Sequence, residues 1–235
     1  VHSCALSADG SQVVTVGVVG DSVRATVAVW DTCTKEGCVP FSTSERSYTS
    51  CAISADGALV AAGAADGTLW LWARTASTTG AAPVSSLRGH SATITSCALS
   101  ADGACLLSAS ADMTLRVWDL DVTRQRETLV LRGHSQGVTC CSVSADGSTA
   151  VSGSADSTVM VWPLSEFYDD RIERPCRPAP KVLTGHTGMI RSVALDVDGN
   201  SIVSVGAKDR CVMVWDLDPA RADNRRLAQA RHIAQ

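Results

Sequence analysis

No window of this chain approaches the roughly 18 uninterrupted apolar residues that a membrane-spanning helix requires. There is no excess of positive charge either. The formal net charge is -4, so no global basic field draws the chain to nucleic acid or to an anionic membrane surface, although local patches stay open. Val1 is preceded by no initiator Met, and neither a basic stretch nor an apolar signal core follows it, so the natural N-terminus is expected to lie elsewhere. Helical periodicity is missing throughout, which points to a nearly all-β chain. Three motifs are also missing: a G-x-S-x-G elbow that would expose a nucleophile, a phosphate-binding P-loop, and any C-x-x-C pair. What is present is globular in character, with 45% hydrophobic and 19% charged residues over 235 positions, enough to bury a core and to be soluble.

The dominant positive signal is a repeat. "SCALSADG" at 3–10 returns in close variants at 50–57, 96–103, 140–147 and 192–199. Gly10, Gly57, Gly103, Gly147 and Gly199 mark its turns, and Trp30, Trp72, Trp118, Trp162 and Trp215 follow at matching intervals. A period of about 45 residues excludes short-repeat solenoids and suits a unit of four short strands with their turns. In the third unit, "ITSCALS", "CLLSAS" and "TLRVW" read as strands separated by the turns "ADG" and "ADM", and a weaker "RETLVLR" follows.

"LRGHSATITSCALSADGACLLSASADMTLRVWDL" at 87–120 resembles a WD-repeat unit, with its Gly-His, its turn Asp and its closing Trp-Asp. Two further copies, ending "VMVWPL" and "VMVWDL", repeat it. The resemblance covers the whole chain in five units and implies an all-β propeller of four-stranded antiparallel blades. Blades are expected at about 1–43, 44–89, 90–133, 134–185 and 186–232. Because seven blades are usual in this family, the five units are expected to form part of a larger propeller.

The resemblance also implies a buried tetrad of loop His, second-strand Ser, turn Asp and third-strand Trp. Two complete sets are His90, Ser108, Asp112, Trp118 and His134, Ser152, Asp156, Trp162. A third, His186, Ser204, Asp209 and Trp215, carries one extra residue between Ser and Asp, for which a bulge is expected. The second unit keeps Asp66 and Trp72 but has Ser44 and Ala62 where His and Ser belong, so no tetrad is expected there. The first unit pairs Thr15 with a more distant Trp30, has Arg24 at the Asp position, and calls for a longer hairpin.

Ser, His and Asp together also make up the acyl-transfer triad. Three equivalent occurrences, each with a Trp as fourth member, favour a structural network that satisfies buried polar groups. No catalytic residue and no cofactor are assigned, and the chain is read as a non-enzyme. Of the ten cysteines, four follow the repeat: Cys4, Cys51, Cys97 and Cys141 share one slot of the innermost strands, where small residues suit tight packing. Val193 interrupts that set in the fifth unit, and no His stands at ligand spacing, so no metal is assigned. Cys33 and Cys38, in "CTKEGC", read as free thiols, with a zinc half-site or a disulfide as alternatives. The cysteine usage favours a reducing compartment, here the cytoplasm, with the nucleus as the alternative.

Function is sought where the repeat is interrupted. Between the third and fourth strands of the fourth unit lies an insertion at 165–180, "SEFYDDRIERPCRPAP". It carries Phe167, Tyr168, Arg171, Arg174 and Arg177, residue types enriched at binding hot spots, with a solvated proline-stiffened loop as the competing reading. A second candidate surface is the face of the hairpins between second and third strands, where Lys208, Arg210 and Arg191 form a basic corner near Met113 and Met189. Ion pairing within the fold competes with that reading. The favoured function is a scaffold for protein–protein interaction in a multiprotein complex. The alternatives are a regulatory propeller module of a larger nucleotide-switch protein, and an RNA-binding scaffold acting through the arginine-bearing loop.

Overall fold

In the computed structural model, residues 1–18, 25–33, 39–44, 47–74, 83–120, 129–165 and 179–217 are described. They form five antiparallel sheets that follow one another along the chain. The first contains β1 (Ser3–Leu6), β2 (Gln12–Val18), β3 (Ala25–Asp31) and β4 (Val39–Ser44). The second contains β5 (Tyr48–Ile53), β6 (Leu59–Ala64), β7 (Thr68–Ala73) and β8 (Ser85–Arg88). The third contains β9 (Ile94–Leu99), β10 (Cys105–Ser110), β11 (Thr114–Asp119) and β12 (Leu129–Arg132). The fourth contains β13 (Val138–Val143), β14 (Thr149–Ser154), β15 (Val159–Pro163) and β16 (Lys181–Leu183). The fifth contains β17 (Ile190–Leu195), β18 (Ser201–Gly206) and β19 (Val212–Asp216). The outer strand anticipated for the fifth sheet lies outside the described residues. Each sheet is a simple meander, so every ladder is made by chain neighbours.

The repeated "SADG" is the turn that makes each meander possible. Ser54 donates its hydroxyl to Asp56 Oδ1 at 2.6 Å and accepts the Leu59 amide at 2.9 Å. Asp56 Oδ1 accepts the Ala58 amide at 2.9 Å, and the Gly57 amide closes on the Ser54 carbonyl at 3.0 Å. Gly57 sits at φ 70, a left-handed conformation that costs a glycine little and a side chain more. The same bonds recur around Ser7, Ser100 and Ser144. In the fifth sheet Asp196 replaces the Ser and accepts the Asn200 and Ser201 amides itself, at 2.7 and 3.0 Å.

Alternation along the strands gives every sheet two apolar faces, one toward the preceding sheet and one toward the following sheet. Leu69 and Leu71 of the second sheet thus pack against Ile94, Cys97 and Trp118 of the third. Leu107, Leu115 and Val117 of the third pack against Val138, Cys141 and Trp162 of the fourth. Val151, Val159 and Val161 then meet Ile190, Val193, Ile202 and Trp215. Hydrogen bonds reinforce these joints. Thr95 and Thr139 donate to the Val138 and Ile190 carbonyls of the next sheet at 2.7 and 2.6 Å, and Thr49 donates in the same way to Ile94. Turn amides do likewise, Ala8 to Ala55 at 3.1 Å and Ala101 to Ala145 at 3.0 Å.

The expected bulge between Ser204 and Asp209 is not where the extra residue goes. The β18–β19 ladder runs without a register shift from Ser201 opposite Asp216 to Val205 opposite Val212. The additional residue is taken up in the turn between Val205 and Val212, in which Arg210 keeps the positive φ that Met113 and Ser157 have in the equivalent turns. A slip inside the ladder would exchange the buried and exposed faces of a strand, whereas a longer turn leaves them unchanged.

Candidate functional site

In the third sheet, His90 lies in the loop leading to β9, Ser108 on β10, Asp112 in the β10–β11 hairpin and Trp118 on β11. Trp118 Nε1 donates to Ser108 Oγ at 2.9 Å. Ser108 Oγ lies 2.8 Å from His90 Nε2, and His90 Nδ1 lies 2.8 Å from Asp112 Oδ2. The fourth sheet repeats this with Trp162 to Ser152 at 2.9 Å, Ser152 to His134 at 2.8 Å and His134 to Asp156 at 3.0 Å. The fifth repeats it with Trp215 to Ser204 at 2.8 Å, and 2.7 Å for both His186 contacts, to Ser204 and to Asp209.

Donor counting fixes the protonation of these chains. The indole can only donate, so the serine oxygen accepts from it and turns its own proton to the imidazole. His Nε2 is then the acceptor, and Nδ1–H donates to the carboxylate, so every group is satisfied with a neutral ring. A doubly protonated ring would turn Nε2–H onto the serine oxygen and, in the third sheet, leave the serine proton only the Arg116 carbonyl at 3.5 Å. Burial accordingly holds His90 and His134 below the ordinary histidine value of 6.5, even against their carboxylate partners. For Asp112, burial acts to raise the pKa, but donors from Thr114, His90 and the Ser91 amide outweigh it and bring the carboxyl down to about 2. Asp156 is lowered for the same reasons through Thr158, Ser135 and His134.

Each aspartate also ties two loops together. Asp112 Oδ2 accepts the Ser91 amide at 3.1 Å from the histidine loop, while its Oδ1 accepts the Thr114 amide and hydroxyl at 3.0 and 2.6 Å. Asp156 does the same with Ser135 at 2.9 Å and with Thr158. Thr114 and Thr158 are members that sequence reasoning missed. Their signal was a Thr two residues after each turn Asp. In the fifth sheet Cys211 stands there, and only its amide, at 3.2 Å, reaches Asp209 Oδ1.

The two remaining sheets differ. In the second, Ala62 is fully buried where the serine stands elsewhere. Trp72 is nonetheless fully buried and meets Tyr48 edge-on with ring centroids 6.2 Å apart, close to the 6.4 Å of His134 and Trp162. Asp66 is exposed and, among the described residues, accepts the Thr68 amide of its own turn at 2.9 Å. In the first sheet Trp30 donates to Thr15 Oγ1 at 2.8 Å, the counterpart of the first of the three bonds in the chain. Ser44 has no described side chain, and Arg24 lies outside the described residues.

Cys51, Cys97 and Cys141 are buried packing groups, whereas Cys4, expected in the same role, is exposed. Cys51 and Cys97 are buried, and burial pushes their thiols up to about 12 and about 11, far from the thiolate a metal requires. Among the described residues no group of three or more His, Cys, Asp or Glu side chains is placed to hold a metal ion. Among them, too, no helix is long and apolar enough to cross a membrane. Cys33 is exposed, whereas Cys38 lies outside the described residues.

Of the candidate binding residues, Phe167, Tyr168, Arg171, Arg174 and Arg177 all lie outside the described residues. Their insertion joins β15 to β16. Lys208, Arg210 and Arg191 are all exposed at one corner of the fifth sheet. Lys208 follows Ala207, whose amide donates to the Met189 carbonyl at 2.8 Å, and Arg191 is two residues beyond Met189 on β17. None of the three cations is ion-paired with a described residue. Met113, 47% exposed at φ 67, belongs to the third-sheet hairpin and is separated from this corner by the fourth sheet.

Successive antiparallel meanders, each packed on the next through a tryptophan that is buried or, for Trp215, partly buried, carry polar tetrads in three of the five sheets, the architecture of a β-propeller. The chain belongs to the WD domain, G-beta repeat family, which matches residues 38–73, 81–119, 125–163 and 179–216, more than half its length. No curated protein matches the chain. Each matched span begins near the outer strand of one sheet and ends on the third strand of the next. A repeat in sequence therefore bridges two sheets in space and links neighbours covalently.

Proposed function

We propose that this chain is a non-catalytic scaffold on which other proteins assemble. WD repeats in general serve protein–protein interaction. The observation that carries the reading is the buried state of the Ser–His–Asp sets. Ser108, Ser152 and Ser204 are fully buried, each accepts an indole proton and each faces an imidazole nitrogen, so no hydroxyl is left to meet a substrate. The histidine loops and hairpins pinned by these networks form one face, and Lys208, Arg210 and Arg191, none of them ion-paired with a described residue, give its fifth sector a positive, exposed corner suited to an acidic segment of a partner. Rigid loops carrying exposed charge recruit partners at little ordering cost.

The test compares proteins retained by the wild-type chain with those retained by the Lys208→Glu, Arg210→Glu, Arg191→Glu variant, alongside melting curves and an esterase assay. The reading requires loss of specific acidic partners at an unchanged melting transition, with no turnover by either form. Retention of every partner removes the basic corner as a docking site. Turnover that disappears in Ser108→Ala or Ser152→Ala would refute the scaffold itself.

A further inference from the structure

The chain contains six Asp-Gly pairs. Four of them lie in the Ser-Ala-Asp-Gly turns, where the aspartate is held by its own turn. Asp9, Asp56, Asp102 and Asp146 each accept the hydroxyl of the serine two residues before, at 2.6–2.7 Å, and the amide two residues after, at 2.9–3.0 Å. Asp66, in the β6–β7 hairpin, accepts the Thr68 amide at 2.9 Å. The sixth aspartate, Asp198, is exposed, and among the described residues its carboxylate accepts no hydrogen bond and forms no ion pair. The cause is local. Asp196 stands where the other turns have Ser, so it brings no hydroxyl proton, and its own Oδ1 takes the Asn200 and Ser201 amides at 2.7 and 3.0 Å. All of these bonds lie within single turns, so the difference does not depend on what packs against the sheet. This turn is also less tied to its neighbour. The Ala8, Ala55 and Ala101 amides donate to the alanine carbonyl of the next turn at 3.1, 3.4 and 3.0 Å, whereas the Ala145 amide makes no such bond to Val197, which is 74% exposed.

We infer that Asp198–Gly199 is a site of spontaneous backbone modification, at which aspartate converts to isoaspartate while the Ser-held pairs are protected. The Gly199 amide nitrogen attacks Cγ of the protonated Asp198 carboxyl, the amide proton and the carboxyl hydroxyl leave as water, and a five-membered succinimide forms. Water then adds at the Asp198 main-chain carbonyl, and the bond from that carbon to the Gly199 nitrogen breaks. The chain now runs through Cγ, and the former main-chain carbonyl is released as a carboxylate. One water is lost and one regained, so no other reactant is needed. Glycine favours the attack because no Cβ crowds the nitrogen. In all five turns the glycine amide is bound to the carbonyl three residues before, at 3.0 Å in four of them and 3.2 Å at Gly199, so the nucleophile is held alike and the carboxyl decides. The serine hydroxyl first, and then the turn amide, draws Asp9 down to about 2 and Asp56 and Asp146 below their ordinary value, which withholds the protonated form. Attack there must also break two bonds to the carboxylate; at Asp198 it breaks none. The product joins β17 to β18 through one additional backbone carbon.

Peptide mapping of the full 235-residue chain, kept folded at neutral pH and physiological temperature for several weeks, tests this. The tryptic peptide 192–208 should accumulate an isomer that resists cleavage before residue 198 by an aspartate-directed protease. It should do so several-fold faster than the peptides carrying Asp9, Asp56, Asp102 or Asp146. Its unchanged mass separates isomerisation from deamidation at Asn200. In guanidinium chloride the five rates should converge, because only the folded turns withhold the carboxyl. Asp196→Ser rebuilds the hydroxyl donor of the other turns and should slow residue 198 to their rate, while Ser54→Ala should raise the rate at Asp56. Equal rates at all five turns of the folded chain overturn the inference, as does a Ser-held aspartate that isomerises faster than Asp198. An Asp196→Ser chain that isomerises at residue 198 as fast as the wild type overturns it equally. Far-ultraviolet dichroism checks that each variant is folded.

Discussion

The second and third sheets bury the same tryptophan by different means. Trp118 is 5% exposed and tied into a chain of hydrogen bonds ending at Asp112, whereas Trp72 is fully buried beside alanine and Tyr48. Burial of the indole is thus a packing result that needs no tetrad. The difference appears at the loops. Asp112 is only 8% exposed in its side chain and binds both the histidine loop and its own hairpin, while Asp66 is exposed and, among the described residues, bonds within its own turn. The polar network fixes the loop-bearing face, and the apolar joint holds the sheets.

Substitutions separate the two roles, beginning with the largest effect. Trp118→Ala empties a joint between the second and third sheets and should cost about 3–5 kcal/mol in chemical denaturation. Trp72→Ala should cost as much, because its joint is equally buried, and a far smaller loss at Trp72 would show that the tetrad stabilises the indole after all. Ser152→Ala leaves the joint packed but removes the acceptor of Trp162, with an expected loss of about 1–3 kcal/mol. Ala62→Gly, at the equivalent tetrad-free position, should cost about 0.5–1 kcal/mol through backbone entropy alone.

A smaller effect is expected from pH. In the folded state His90 and His134 titrate below 6.5, so as pH falls through that value the unfolded chain binds protons that the native state does not. Stability must then decrease with falling pH, and these groups add no slope above it. A second decrease follows below 3.8, where unfolded carboxyls protonate while Asp112 and Asp156 stay charged. Denaturation curves of His90→Gln, His134→Gln should lose the upper of these two slopes and keep the lower. The smallest effect belongs to Lys208→Glu with Arg210→Glu, within about 0.5 kcal/mol, since exposed charges contribute little.

The sheet count, the turns and the tetrads were legible because each depends on short-range spacing. The Ser, Asp and Gly of the turn act within five residues, and His, Ser, Asp and Trp are placed by strand lengths that the repeat holds constant. Thr114 and Thr158 were overlooked because a Thr at the start of a strand is already explained by β-propensity. The extra residue before Asp209 was detected but assigned to a bulge, since a sequence cannot show whether ladder or turn absorbs an insertion. The exposure of Val203, Val212 and Val214 was not legible, because they repeat the pattern of the buried Val151, Val159 and Val161.

Amide hydrogen exchange at Ser135 tests the central claim most directly. That amide donates to Asp156 Oδ2 at 2.9 Å across two loops, and Asp156 is held in turn by His134. In His134→Ala the account predicts much faster exchange at Ser135, with β14 and β15 amides around Ser152 and Trp162 still protected. Unchanged protection at Ser135, or equal loss throughout β14 and β15, would contradict the assignment of the tetrad to the loop face.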